Sequence, residues 1–127
     1  MSDDQPDLTN YPDLNEFLNE KKGYYMLDKD RNIIPASLLE WGTYLENTRK
    51  ERIVKKDHVN GYRVSTVFLG LDHNYDPSDN KLHIFETMVF KERTLEDIYC
   101  DRYATWEEAE IGHARAMQWV KDGCKDE

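Results

Sequence analysis

The chain has few cysteines. Cys100 and Cys124 are the only two in 127 residues, and neither lies in a CxxC pair or at zinc-type spacing from a histidine. A zinc ribbon or disulfide framework is therefore not expected, and the thiols read as the reduced thiols of a cytosolic protein. Basic residues are also outnumbered. Seventeen Lys and Arg face 26 Asp and Glu, for a net charge of −9. Non-specific binding to nucleic acid needs clustered cations, so that class is set aside. Much of the acidic excess sits at the ends, in Asp3, Asp4, Asp7 and Asp13 and in Asp126-Glu127. It reads as solvation charge rather than the dense acidic face of a DNA mimic. No apolar run approaches a membrane span, and the acidic, polar N-terminus does not read as a secretory signal. Walker, GxGxxG, HExxH and GxSxG motifs are absent. No reaction is assigned, and no cofactor or metal is expected.

What is present suggests one domain. A mean hydropathy of −0.89 means that the core must come from a few dense apolar stretches, helped by an aromatic content of 12%. Residues 1–22 read as an acidic leader, partly flexible, with a short helix over 12–20 carrying Leu14, Phe17 and Leu18. The domain proper spans 23–122, followed by a polar tail over 123–127.

Within it, Tyr24–Leu27 reads as a strand, 28–32 as a turn and Ile33-Ile34 as a return strand. Ser37-Leu38-Leu39-Glu40 has capping-box spacing and starts a helix with Leu38, Trp41, Gly42 and Leu45 on one face, expected to be core. A strand runs from 52 to 59. Asn60-Gly61 then signals a tight hairpin, since both residues accept positive φ. The next strand runs from Tyr62 to about Asp72, the loop from 73 to 81, and the returning strand from 82 to 90. After a turn over 91–96 a further strand covers 97–104. Thr105-Trp106-Glu107-Glu108 is a second capping box. It opens a helix to about Val120 that buries Ala109, Gly112, His113, Ala116 and Val120, with Gly123 as its stop. The order β-β-α-β-β-β-β-α predicts an α+β fold, an antiparallel meander with hairpins packed against two helices.

Candidate site residues come from the central strands. Glu86 lies in an apolar strand and shares its alternation with Ile84, Met88 and Phe90. A carboxylate there is paired, hydrogen-bonded or at work. One reading pairs it with Arg102 as a structural ion pair. The other joins Glu86, Arg102 and His113, with Ser65 and Thr66, into a pocket for a small polar molecule such as a nucleotide, if the helix covers the face bearing Glu86. A histidine in an apolar stripe is more often a satisfied core residue than a catalyst. Asp72, His73, Asn74 and Tyr75, at the end of a central strand, form a candidate contact loop. That loop lacks the glycine and glutamate of an EF-hand, with Pro77 and His83 at those places, and is not read as a calcium site.

Several words occur in order. They are Tyr24-Tyr25, the Trp-bearing helix over 38–45, the stretch Val64–Asn74 (VSTVFLGLDHN), Phe85–Phe90 (FETMVF), and Asp101–Glu110 (DRYATWEEAE) followed by Gly112-His113. In these words the chain resembles a family of small uncharacterised bacteriophage and prophage proteins, over Tyr24 to about Val120. The chain departs from the pattern in its acidic leader and in its longer loop over 75–81. The resemblance implies an accessory protein of the host (bacterial) cytoplasm, and by analogy one that binds a host or phage protein. It carries no activity, ligand or catalytic residue with it. The expected partner is therefore a protein, with a small polar molecule as the alternative. An isologous homodimer is the default oligomer.

Overall fold

The computed structural model describes Lys21, residues 23–72, Ser78 and residues 80–125. The expected leader helix over 12–20 and the loop residues His73, Asn74 and Tyr75 lie outside the described residues. The element order is β-β-α-β-β-β-β-α and the class α+β, with one two-stranded and one four-stranded antiparallel sheet. The chain divides into two compact units, the first ending at Asn47 and the second beginning at Thr48. This boundary falls inside the 23–122 span read as one domain.

In the first unit, β1 (Tyr24–Leu27) pairs antiparallel with β2 (Ile33–Ala36), Tyr24 opposite Ala36 and Leu27 opposite Ile33. The turn between them is organised by Asp28. Its Oδ1 accepts the backbone N–H groups of Asp30 and Asn32, both at 2.8 Å. These contacts favour the charged carboxylate. The Asn32 N–H contributes most to holding the Asp28 pKa below its ordinary 3.8. A pKa lowered on folding stabilises the folded form above the ordinary value, and the contribution is lost as pH falls through the lowered one. We expect the Asp28 carboxyl carbon, followed by NMR, to titrate below 3.8, and Asp28→Ala to remove that acid sensitivity from the β1–β2 turn.

Helix α1 (Leu38–Asn47) starts at the expected box: Ser37 N–H donates to Glu40 Oε1 at 2.9 Å, and Glu40 N–H to Ser37 Oγ at 3.1 Å. Its apolar stripe differs from expectation. Leu38, Trp41, Gly42 and Leu45 are half-buried, no residue of α1 is fully buried, and Leu39 is 55% exposed. Two short strands offer too little surface to enclose a helix face. Trp41 instead lies against the Tyr24 ring, with centroids 5.2 Å apart.

The second unit is a meander of β3 (Ile53–Val59), β4 (Tyr62–Phe68), β5 (Phe85–Lys91) and β6 (Asp97–Tyr103), closed by α2 (Trp106–Lys121). Asn60 and Gly61, at φ 51° and 83°, make the two-residue turn between β3 and β4. That turn sets Val59 opposite Tyr62 and Asp57 opposite Val64. β4 stops at Phe68, short of the expected Asp72. Gly70 adopts φ 72°, and the N–H groups of Leu69 and Gly70 both donate to the Ile84 carbonyl.

One face of the sheet is covered by α2, which touches all four strands. Val64, Thr66 and Phe68 of β4 and Phe85, Thr87 and Val89 of β5 point to that face and are buried. The helix supplies Trp106, Ala109, Gly112, His113, Ala116 and Val120, the predicted stripe extended by one residue. At Gly112 the fit is closest. A Cβ built there would overlap the Cζ, Oη and Cε1 atoms of Tyr103. Thr105 Oγ1 caps the helix start by accepting from Glu108 N–H at 3.1 Å, while the Glu108 carboxylate reaches back to Ala104 N–H at 3.0 Å. The helix ends in a Schellman pattern. Cys124 N–H donates to Trp119 O and Gly123 N–H to Val120 O, with Gly123 at φ 90°.

Candidate functional site

A polar chain crosses the core beneath α2. Thr66 and Thr87 stand directly opposite each other on β4 and β5, their hydroxyl oxygens 2.5 Å apart. Thr66 Oγ1 also lies 2.7 Å from His113 Nδ1, and His113 Nε2 lies 2.7 Å from Asp57 Oδ2 on β3. An ionised carboxylate only accepts, so the Nε2 proton is donated to Asp57. With the ring neutral, Nδ1 accepts from the Thr66 hydroxyl, whose oxygen in turn accepts from Thr87. Carboxylate, imidazole and hydroxyl follow the order of a nucleophilic triad. Burial decides against that chemistry. Thr66 and Thr87 are 0% exposed and the His113 side chain 1%, while Asp57 at 32% is the wet end. No substrate carbonyl can reach either hydroxyl, and the chain serves to satisfy polar groups inside the core.

Tyr103 borders this chain. Its buried hydroxyl has no partner of good geometry among the described residues. Burial pushes the phenol pKa well up, and the neighbouring Thr87 hydroxyl opposes that only in part.

Alternation and register place the other predicted residues on the opposite face. Glu86 pairs with Arg102 across β5 and β6, and Ser65 with Met88 across β4 and β5. Arg102 Nε donates to Glu86 Oε2 at 3.0 Å. Cys100 Sγ donates to the same oxygen at 3.5 Å, and partial burial followed by the Glu86 charge raises the thiol pKa above its usual range. The expected convergence of Glu86, Arg102 and His113 is therefore corrected. A sheet separates Glu86, Arg102 and Ser65 from His113 and Thr66, and no single pocket holds all five. The physical reason is that Thr87, not Glu86, has the parity of the helix-covered face. Glu86→Gln should lower unfolding free energy in urea by no more than about 1 kcal/mol, as for other partly exposed ion pairs.

Arg102 takes part in a second arrangement. With Lys81, His83, Arg115, Glu108 and Ile111 it lines a cleft of about 260 Å³ at the end of β6 beside the first turns of α2. Among the described lining residues the formal charges are Lys81, Arg102 and Arg115 against Glu108, with Arg102 paired to Glu86 and Arg115 to Asp101 just outside the lining. The Glu108 carboxylate is engaged at the helix start. Asp72, the described member of the candidate loop, contacts the cleft-lining residue His83. Its Oδ1 accepts the His83 backbone N–H at 3.0 Å and ties the loop ends together. Among the described residues, no three His, Cys, Asp or Glu side chains gather as metal ligands, and no helix is long and apolar enough to cross a membrane.

Sequence reasoning missed Asp57, Thr87 and the basic cleft. The first two had a readable signal. Counting back from the Asn60-Gly61 turn puts Asp57 on the face of Val64 and Thr66. The cleft had none, because Lys81, Arg102 and Arg115 are distant in sequence and adjacent only in the fold. No protein-family model, curated protein or solved structure matches the chain.

Proposed function

We propose that the chain is a phage-encoded accessory protein of the bacterial cytoplasm that acts by binding a host or phage protein, without catalysis of its own. The observation that carries this reading is the sealing of the Asp57–His113–Thr66–Thr87 chain in the core. The residues best suited to catalysis are used to hold the sheet and helix together. The surface of the second unit offers for binding a cleft at the end of β6, edged by Ile111, which is 62% exposed. The resemblance to small phage proteins supports the cellular context.

Native mass spectrometry of the tagged protein isolated from phage-infected cells tests it. A stoichiometric protein complex, unchanged in Glu86→Gln, is the expected result. A bound metabolite with no protein partner would overturn the reading in favour of a small-molecule site.

A further inference from the structure

We infer that the segment over 12–20 docks as a short helix on α1, with Leu14, Phe17 and Leu18 in the cleft beside Leu39. The segment lies outside the described residues. Its place on α1 follows from its sequence and from the point at which the chain enters the first unit.

Met26 of β1 and Leu39, Glu40, Thr43 and Tyr44 of α1 line a cleft of about 450 Å³. Leu39 and Thr43, like Glu40 and Tyr44, stand four residues apart, so the cleft runs along one side of the helix. Leu39 is 55% exposed, and no residue of α1 is fully buried. One helix on a two-stranded hairpin is too small a body to leave such a side uncovered at no cost in stability.

The entry point of the chain says what covers it. Lys21 Nζ lies 3.7 Å from Glu40 Oε1, and Glu40 is itself part of the lining. The residue that directly follows the segment is thus held at the rim of the cleft. Leu18 is separated from Lys21 by about 11 Å at most in extended chain and by about 4.5 Å along a helix axis. Leu14 is about 10 Å away along the same axis. All three apolar side chains therefore come within reach. Gly23, at φ 85°, supplies the left-handed residue with which a helix commonly ends.

The pattern suits α1 as well. Leu14, Phe17 and Leu18 stand at i, i+3 and i+4, one face of a helix, and Lys21 at i+7 continues that side. Asp13, Glu16 and Glu20 fall on another face by the same spacing. A helix laid with its apolar face on Leu39 keeps those carboxylates away from Glu40. Pro12 suits its first position. Segment and cleft belong to one compact unit. A short tether gives the segment an effective concentration of about millimolar at the cleft, so a contact too weak to hold separate molecules together persists within the chain.

The test uses the full chain, isotope-labelled for NMR. Nuclear Overhauser cross-peaks are expected from the Phe17 ring to the methyl groups of Leu39 and Met26. Amides over 16–20 should exchange at least tenfold more slowly than in a peptide of residues 1–22. Leu39→Asp, at an exposed position, and Phe17→Ser, on the segment, should each return that exchange to the rate in the peptide. Should Leu39→Asp also disturb the β1–β2 pairing, Phe17→Ser decides alone, through its effect on exchange and on the Leu39 and Thr43 amide shifts. Absence of the cross-peaks, or exchange that Phe17→Ser leaves unchanged, would overturn the inference. Cross-peaks that join labelled to unlabelled chains in a mixed sample would overturn it too, because the cleft would then hold the segment of a second copy.

Discussion

Gly112→Ala should be among the most damaging single substitutions in the second unit, costing about 3 kcal/mol or more of unfolding free energy, at the upper end for overpacked cores. The added methyl falls on the Tyr103 ring, which is 92% buried by its 8% exposure and held at the end of β6 against α2. The ring cannot swing aside as the end of a flexible chain would. Relief requires moving α2 away from the sheet, which loosens the packing of Ala109 and Ala116 as well. The helix propensity of alanine, better than that of glycine by about 1 kcal/mol, works against this cost without cancelling it. Urea unfolding measures the loss. Two further variants locate its cause. Tyr103→Phe keeps the ring carbons and should not rescue Gly112→Ala. Tyr103→Ala, itself destabilising, should make the added methyl nearly harmless, so that the two changes are far from additive. Additive losses would show that Gly112 matters for some reason other than Tyr103.

The second large effect is expected at His113. His113→Leu keeps an apolar side chain of fair size in the core but removes both ring nitrogens. Asp57 and Thr66 each lose a partner, and the Thr66 hydroxyl stays fully buried. Removing one side of a buried polar contact typically costs about 1–3 kcal/mol for the group left behind, more when that group is charged. A total of about 2–4 kcal/mol follows. Asp57 is partly exposed and can turn to water, so Asp57→Asn should cost less than His113→Leu. A double-mutant cycle between the two positions should give a coupling of about 1 kcal/mol or more. A coupling near zero would mean that the imidazole is held by packing alone.

Much of this architecture was legible in the chain. Both capping boxes, the Asn60-Gly61 turn and the buried stripe of α2 rest on short-range rules, and the structure contains all of them. The limits of β4 were less legible, because the positive φ of Gly70 depends on the carbonyl of Ile84 that receives its N–H. The α1 stripe misled because periodicity reports which face is apolar and not whether enough surface exists to cover it. For the site, the decisive unknown was parity. Shifting by one residue along β5 exchanges Glu86 for Thr87 beneath the helix, and the apolar neighbours of both look alike in sequence. Glu86 was correctly paired with Arg102 by the reading that made it structural. His113 was placed in the core, but its partners Asp57 and Thr66 come from strands joined to it only by the complete fold.

The position of α2 along the chain bears on how the protein is made. All four strands of the meander leave the ribosome before the helix that covers them. Val64, Phe68, Phe85 and Val89, all 0% exposed in the finished unit, therefore have no cover until residues 106–121 are synthesised. The nascent chain passes through an interval in which an apolar sheet face is open to water and to other chains, the condition in which aggregation and chaperone capture compete with folding. Premature termination before Trp106 would prolong that interval indefinitely, and such a fragment should accumulate in inclusion bodies rather than as a smaller soluble protein.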